Sequence, residues 1–182
     1  MKQKNNSQSS NINKPYSILL VDDDPQIVHV IGKNLENKGY GVTTADSGES
    51  AFELLNKTPF DLVIADLVMG QIDGIQVLEK AKELYPESMV MILTGLGDLE
   101  SAIDALRLGV DDYLLKPLLL EELHFRVEDC LKKFEDKKKI KQDQEKIRSS
   151  REYAQNIIDS SLDMIVSTDN ERKIVEFNRA AE

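Results

Sequence analysis

The chain has 182 residues, 41% of them hydrophobic, and a formal net charge of -10 at pH 7, so the prior expectation is one domain with part of a second. The acidic balance argues against nucleic-acid binding by this segment, and no run of about 18 apolar residues is present to span a membrane. Cys130 is the only cysteine, which excludes an internal disulfide and favours a cytoplasmic location.

Polar residues dominate the first fourteen positions, which are rich in Asn, Ser and Gln. Such a segment cannot bury enough apolar surface to fold, so we expect a disordered tail over residues 1–14. It also lacks the apolar centre of a signal peptide.

Strand and helix patterns alternate from residue 16 to residue 134. Short apolar runs predict five strands, at 16–21, 42–45, 62–65, 89–93 and 113–115. Between the strands, apolar residues recur at helical spacing, with helix start signals such as Asp24-Pro25 and Ser47 and stop signals such as Gly39. A weaker helix is predicted over 101–108. This alternation predicts an α/β fold with a five-stranded parallel sheet in the flavodoxin-like order 2-1-3-4-5 and helices on both faces.

Acidic residues and one lysine follow three of these strands. Asp22 and Asp23 come after the first strand, Asp66 after the third, and Lys116 after the fifth. Because the carboxyl ends of parallel strands share one edge, we expect these side chains to lie together at a ligand crevice. Three acids repel each other, and one amine does not offset them, unless a hard cation or an anion with its counter-cation is present, so the pattern predicts phosphate chemistry with Mg²⁺.

The last predicted helix begins near Leu119 and continues past the sheet domain. A first apolar stripe at helical spacing consists of Leu123, Val127, Cys130 and Phe134. After a lysine-rich stretch, Ile140, Ile147 and Ala154 repeat every seven residues in a different phase. We expect one long helix with a phase break near 137–140, whose 135–157 part forms a weak parallel coiled coil and so a homodimer. A single solvated charged helix is the alternative.

The character of the chain changes after residue 160. Alternating apolar positions at 164–168 and 174–177 flank the turn residues 169–171, which predicts a β-hairpin, and Asn178 is typical of a helix cap. An isolated hairpin is marginally stable, so we expect the chain to stop within a second domain.

Residues 15–134 resemble the receiver domain of bacterial response regulators, the phospho-accepting half of two-component signalling. The resemblance rests on motif residues that occur in order at the strand ends: Asp22, Asp23, Asp66, Thr94, Tyr113, Lys116 and Pro117. It implies that Asp66 is the phospho-acceptor and that a sensor histidine kinase or a phosphotransfer protein is the donor. It also implies no enzymatic activity beyond the chain's own phosphotransfer and self-dephosphorylation.

The same resemblance assigns further roles. Asp23 and Asp66 would hold Mg²⁺ directly and Asp22 through water, and the backbone carbonyl of Val68 would complete the set. Lys116 and the hydroxyl of Thr94 would bind the phosphoryl group. Tyr113 would act as a switch that changes the face made by the 101–108 helix, the fifth strand and the last helix. The Lys116–Pro117 peptide bond is expected to be cis.

Residues 158–182 resemble the beginning of a PAS sensor domain. The similarity lies in the 159–165 segment, in the Asp169 turn and in Phe177-Asn178-Arg179-Ala180-Ala181-Glu182. It implies an output domain, enzymatic or not, that lies beyond this chain.

Two departures and three alternatives qualify the receiver interpretation. Gly70 stands where the family often has proline, and Val68 and Leu96 are apolar where side chains can guide the hydrolytic water, so we expect slow self-dephosphorylation.

The alternatives are a docking receiver that is never phosphorylated, a small Mg²⁺-dependent phosphatase and a nucleotide- or flavin-binding domain. The phosphatase needs a second acid at position 68 for leaving-group protonation, and the nucleotide site needs glycines in the first strand-helix turn.

Overall fold

The structure is a computed structural model that describes residues 15–95, 109–161, 163 and 165–178. The strands in these residues are β1 Ser17–Val21, β2 Gly41–Ala45, β3 Leu62–Asp66, β4 Met89–Thr94, β5 Asp112–Leu115, β6 Val166–Thr168 and β7 Ile174–Phe177. The helices are α1 Pro25–Asn37, α2 Gly48–Lys57, α3 Gly74–Leu84 and α4 Leu120–Ser160. The tail predicted at 1–14 and the helix predicted at 101–108 lie outside the described residues.

The first five strands form one parallel sheet in the order β2-β1-β3-β4-β5, which confirms the predicted fold. Val21 at the end of β1 pairs with Ala45 on one side and Ala65 on the other. Further along the same edge, Asp66 pairs with Leu93 and Thr94 with Leu115. The carboxyl ends of the strands therefore share one edge.

Alternation along the strands divides the core into two layers. On β1, Ile18 and Leu20 point to the layer that also contains apolar residues of α1 and α4, whereas Leu19 and Val21 point to the layer covered by α2 and α3. Residues of β3 and β4 are buried on both faces, which explains their uninterrupted apolar sequence.

Three helices begin at side-chain caps, two of which, Asp24 and Ser47, were indicated by the sequence signals. The Asp24 carboxylate accepts a hydrogen bond from the backbone N–H of Gln26 at 2.8 Å, and Pro25 occupies the first helical position. Ser47 and Asp73 cap α2 and α3 with reciprocal capping boxes. Each of these helices thus starts near the carboxyl edge of the sheet, where the strands end.

Helix α4 is continuous over 41 residues. Its buried side chains all belong to its first 15 residues: Leu123, Val127, Cys130, Leu131 and Phe134. The chain forms two compact units that divide between Glu135 and Asp136. Among the described residues, no helix combines the length and apolar character needed to cross a bilayer.

The second unit contains the rest of α4 and the antiparallel hairpin β6–β7. Asn178 joins these elements, because its side-chain oxygen accepts from the N–H of Ile165 at 2.9 Å and its amide donates to the carbonyls of Ile158 and Asp163. Any helix that Asn178 caps would occupy 179–182, outside the described residues.

Candidate functional site

Three carboxylates meet at the carboxyl edge of the sheet. Asp22, Asp23 and Asp66 each offer an oxygen, and these oxygens all lie within 4.8 Å of one another. Asp22 is only 1% exposed and Asp66 only 8%, whereas Asp23 faces solvent. The adjacency of β1 and β3 in the sheet brings these residues together, although 44 positions separate Asp22 from Asp66.

Lys116 reaches this cluster from the end of β5. Its Nζ lies 2.8 Å from an Asp22 oxygen and 3.0 Å from an Asp66 oxygen. Burial by itself would lower the pKa of Lys116, but its hydrogen bonds to both carboxylates raise the pKa above the usual value. The ammonium therefore stays charged and ties two acids together.

The Asp22 carboxylate is oriented by backbone as well as by Lys116. It accepts a hydrogen bond from the N–H of Asp24 at 2.9 Å, and the N–H of Asp22 itself donates to the carbonyl of Ala45 at 3.2 Å. These contacts place a nearly buried acid in a defined position at the end of β1.

Burial has the largest effect on Asp66 and raises its pKa above the usual value. The hydrogen bond and charge of Lys116 lower that pKa, the nearby charge of Asp22 raises it, and a hydrogen bond from the backbone N–H of Val68 lowers it. The net effect is a raised pKa of Asp66, because burial outweighs the other contributions. A cation close to the carboxylate favours its ionised form.

The remaining predicted site residues lie on or after β3, β4 and β5. Thr94 is fully buried at the end of β4, between the strands of Asp66 and Lys116, and its hydroxyl donates to the carbonyl of Gly95 at 3.3 Å. Tyr113 on β5 is 37% exposed and Val68 is 59% exposed. The peptide bond between Lys116 and Pro117 is cis. Leu96 lies outside the described residues.

The donor set fits a hard divalent cation. Three carboxylates and one ammonium have a net charge of two negative units when all are ionised. The possible metal ligands from the three acids are all carboxylate oxygens, and they lie in one small cluster. Mg²⁺ prefers oxygen ligands and uses few carboxylates while keeping several waters, so one exposed and two nearly buried acids suit it.

Sequence reasoning missed the hydrogen bonds that backbone N–H groups donate to the acids of the site. The N–H of Val68 on the Asp66 carboxylate and the N–H of Asp24 on the Asp22 carboxylate both act within two residues of the acid. The Asp22-Asp23-Asp24 run carried a signal for the second contact, because an Asp side chain commonly bonds the backbone two residues on.

Comparison with known proteins decides the family. The model of the response regulator receiver domain matches residues 18–128, more than half of the chain. The chain belongs to the response regulator receiver family. Its receiver domain therefore implies a phosphodonor kinase, and the cluster of Asp22, Asp23 and Asp66 is consistent with a phosphorylation site and typical of a receiver Mg²⁺ site.

Two transcriptional regulators are similar to about two thirds of the chain. Transcriptional regulatory protein GlrR of Escherichia coli (strain K12) is 39% identical over 118 residues, which are 65% of this chain and 27% of that protein. Transcriptional regulatory protein ZraR of the same strain is 40% identical over 114 residues, which are 63% of this chain and 26% of that protein. The chain thus spans about a quarter of the length of these two regulators.

Solved receiver domains have the same fold. The CheY-like receiver domain protein of Methanospirillum hungatei JF-1 matches with a TM-score of 0.65 and 29% identity, over 68% of this chain and 99% of that one. A receiver domain protein of Clostridium thermocellum matches with a TM-score of 0.63 and 32% identity, over 69% of this chain and 98% of that one.

Proposed function

We propose that the receiver domain is phosphorylated on Asp66, in the presence of Mg²⁺, by a sensor histidine kinase or a phosphotransfer protein. The observation that carries the proposal is the position of Lys116, which bridges the nearly buried Asp22 and Asp66 within a three-acid cluster. A buried acid that is both nucleophilic and surrounded by cation-binding groups is the arrangement that phosphoryl transfer requires.

In the proposed step, a carboxylate oxygen of Asp66 attacks the phosphorus of a phosphohistidine. The new P–O bond forms as the P–N bond breaks, and the electron pair leaves on the imidazole nitrogen, which takes up a proton. Lys116 stabilises negative charge on a phosphoryl oxygen, and the hydroxyl of Thr94 provides a hydrogen bond to another. Asp23, Asp66 and the carbonyl of Val68 would hold Mg²⁺ directly, with Asp22 acting through water. Bound Mg²⁺ neutralises charge that develops on the phosphoryl oxygens.

Phosphorylation would then be read out through Thr94 and Tyr113. A phosphoryl group adds about two negative charges, enough to draw the Thr94 hydroxyl away from its contact with Gly95. Inward movement of Tyr113 would alter the face made by β5, α4 and the 101–108 segment. Because β5 leads directly into α4, the long helix is the natural carrier of this change.

The domain organisation proposed for the chain has four parts. They are a tail at 1–14, the receiver at 15–134, a signalling helix at 135–157 that dimerises as a coiled coil, and the beginning of a PAS domain at 158–182. The sequence resemblance supports the PAS assignment, and the hairpin predicted within that segment is present as β6–β7. The cytoplasm is the proposed location, since the chain has a single, buried cysteine.

The two main alternatives are less well supported. A docking receiver that is never phosphorylated would not need Asp22, Asp66 and Lys116 in mutual contact. A phosphatase would need an acid two residues after Asp66, where the exposed side chain is Val68.

Acetyl phosphate labelling tests the proposal. The protein is incubated with acetyl phosphate and Mg²⁺, the acyl phosphate is trapped with borohydride, and the modified residue is identified by mass spectrometry. We expect Mg²⁺-dependent label on Asp66 and none in Asp66→Asn. Asp46→Asn is the matched control, because Asp46 follows β2 at the same edge but is not part of the acid cluster. An unlabelled protein that is folded and binds Mg²⁺ would instead support the docking alternative or strict dependence on one kinase.

A further inference from the structure

The loop that follows Asp66 is held against two helices by close backbone contacts. We call residues 67–73 the acceptor loop. Gly74, the first residue of α3, lies so near the end of β3 that a Cβ there would overlap the carbonyl oxygen of Asp66 and lie 2.9 Å from its carbonyl carbon. Gly48, the first residue of α2, lies so near Ile72 that a Cβ would overlap its carbonyl and lie 2.5 Å from its Cβ. Real Cβ atoms essentially never approach within 3.0 Å of such atoms.

The inner side of the acceptor loop is anchored in the core. The N–H of Leu67 donates to the carbonyl of Leu93 at 2.7 Å, and the N–H of Gly74 donates to the carbonyl of Leu67 at 3.2 Å. The side chains of Leu67 and Met69 are buried in the layer covered by α2 and α3. These contacts hold the loop against the sheet and the core. The two glycines allow the first turns of α2 and α3 to approach it closely.

The outer side of the same loop serves the phospho-acceptor. Val68 lies between the two anchored side chains, 59% exposed, and its backbone N–H bonds the Asp66 carboxylate. A small shift of the loop would therefore move both a hydrogen bond to the nucleophile and the Val68 carbonyl. Mg²⁺ tolerates little distortion of its near-octahedral geometry.

We infer that Gly48 and Gly74 are positioning residues for Mg²⁺ binding and phosphorylation. Gly74 acts on the backbone of Asp66 itself, and Gly48 acts from another helix through Ile72. The inference rests on the proposed function, since it concerns the same site. It adds that the first turn of α2, which contributes no side chain to the acid cluster, controls the geometry of that cluster.

The test compares Gly48→Ala and Gly74→Ala with two controls. Gly70→Ala changes the same loop at a position where a Cβ meets nothing within 4 Å. Val127→Ala removes buried apolar atoms in α4 and destabilises the fold away from the acceptor loop. For each full-length variant, the Mg²⁺ Kd is measured by calorimetry, and the phosphorylation rate by acetyl phosphate at saturating Mg²⁺.

We expect Gly74→Ala to weaken Mg²⁺ binding and slow phosphorylation by about tenfold each, because misplacement by a fraction of an ångström has effects of this order. Gly48→Ala should have a smaller effect in the same direction. Gly70→Ala should match the wild type, and Val127→Ala should lower the Tm while keeping the wild-type Kd and rate.

The inference is wrong if both glycine variants behave like Val127→Ala and lose only thermal stability. If Gly74→Ala and Gly48→Ala do not fold, Ile72→Ala decides, because it removes the side chain that α2 holds without creating an overlap. A wild-type Kd and rate in Ile72→Ala would then overturn the control of the cluster by α2 that is inferred for Gly48. Failure of the proposed function is distinguishable, because the wild type itself would show no Mg²⁺-dependent label on Asp66.

Discussion

The two halves of α4 are stabilised in different ways. Its first part, residues 120–135, contributes five buried side chains to the core layer shared with α1 and the sheet. Its second part, residues 136–160, has no buried residue, and the side chains of Ile140 and Ile147 are 58% and 69% exposed. Tertiary packing therefore holds the first half, whereas the described residues bury no side chain of the second.

Two ion pairs in the second half contribute little to its stability. Lys146 lies 3.7 Å from Asp143, and Arg148 lies 3.6 Å from Glu152, with all four side chains more than half exposed. Such pairs contribute about 0.3–0.5 kcal/mol each. Because most helical stability in proteins comes from packing of an apolar face, the comparison favours a partner for the second half, which the proposed coiled coil would provide.

The largest effect is expected for Leu123→Ala in the first half. Leu123 is fully buried, so its truncation should lower the free energy of unfolding by about 2–5 kcal/mol. Leu119→Ala is the matched control, because Leu119 lies just before the helix and is 69% exposed. Urea unfolding monitored by circular dichroism measures both. Equal losses in the two variants would show that the start of α4 is not packed as described.

The second largest effect is expected for Lys116→Met in the acid cluster of the first unit. Lys116→Met leaves the nearly buried Asp22 and Asp66 without their shared cation, so stability in the absence of Mg²⁺ should fall by about 1–3 kcal/mol. Mg²⁺ should bind about tenfold more tightly, because Lys116 no longer competes for the carboxylates, while phosphorylation becomes slower. Unfolding with and without Mg²⁺ and a Mg²⁺ titration measure these changes.

Lys146→Met is the control for Lys116→Met, since the Lys146 side chain is 78% exposed and lies in the second half of α4. It should leave both stability and Mg²⁺ affinity unchanged. Weaker Mg²⁺ binding in Lys116→Met would mean that the lysine organises the acids for the cation instead of competing with it.

The sequence predicts contacts that follow from strand order and helical spacing, but not those that depend on close approach in the folded protein. Asp22, Asp66 and Lys116 were found because strand ends in an alternating chain must share an edge, and the buried stripe of α4 was found by its spacing. The Gly48–Ile72 contact could not be found, because it depends on how closely two helix starts approach one loop in the folded protein. The same holds for Asn178, whose three hydrogen bonds join segments up to 20 residues apart.

A smaller effect is expected at the boundary between the two halves. The phenol of Tyr16 donates a hydrogen bond to the carboxylate of Glu135, the last residue of the first unit. Burial, followed by this hydrogen bond and the negative charges of Glu135 and Asp61, raises the pKa of Tyr16 from 10.0 to about 12. Tyr16→Phe should therefore cost about 1 kcal/mol at neutral pH.

The raised pKa of Tyr16 also sets a pH window. Between pH 10 and about 12 the folded state keeps a proton that the unfolded state has released, so stability should fall as pH rises through this range. Tyr16→Phe should reduce that slope, as measured by urea unfolding at several pH values. Tyr153→Phe, at a tyrosine that is 69% exposed in the second half of α4, should keep the wild-type slope. An unchanged slope in Tyr16→Phe would place the alkaline sensitivity elsewhere.

The smallest effect on monomer stability is expected for Ile147→Ala, the counterpart of Leu123→Ala in the second half. Ile147 is 69% exposed, so its truncation should change the free energy of unfolding at low protein concentration by less than about 0.5 kcal/mol. In a coiled coil, however, the same side chain lies in the seam, and its loss should weaken dimerisation about tenfold in sedimentation equilibrium. Gln142→Ala, at a position outside the seam of Ile140 and Ile147, should leave the dimer unchanged. A wild-type protein that stays monomeric at high concentration would instead identify the second half as a single solvated helix, and its stability would then have to come from helix propensity and surface charge alone.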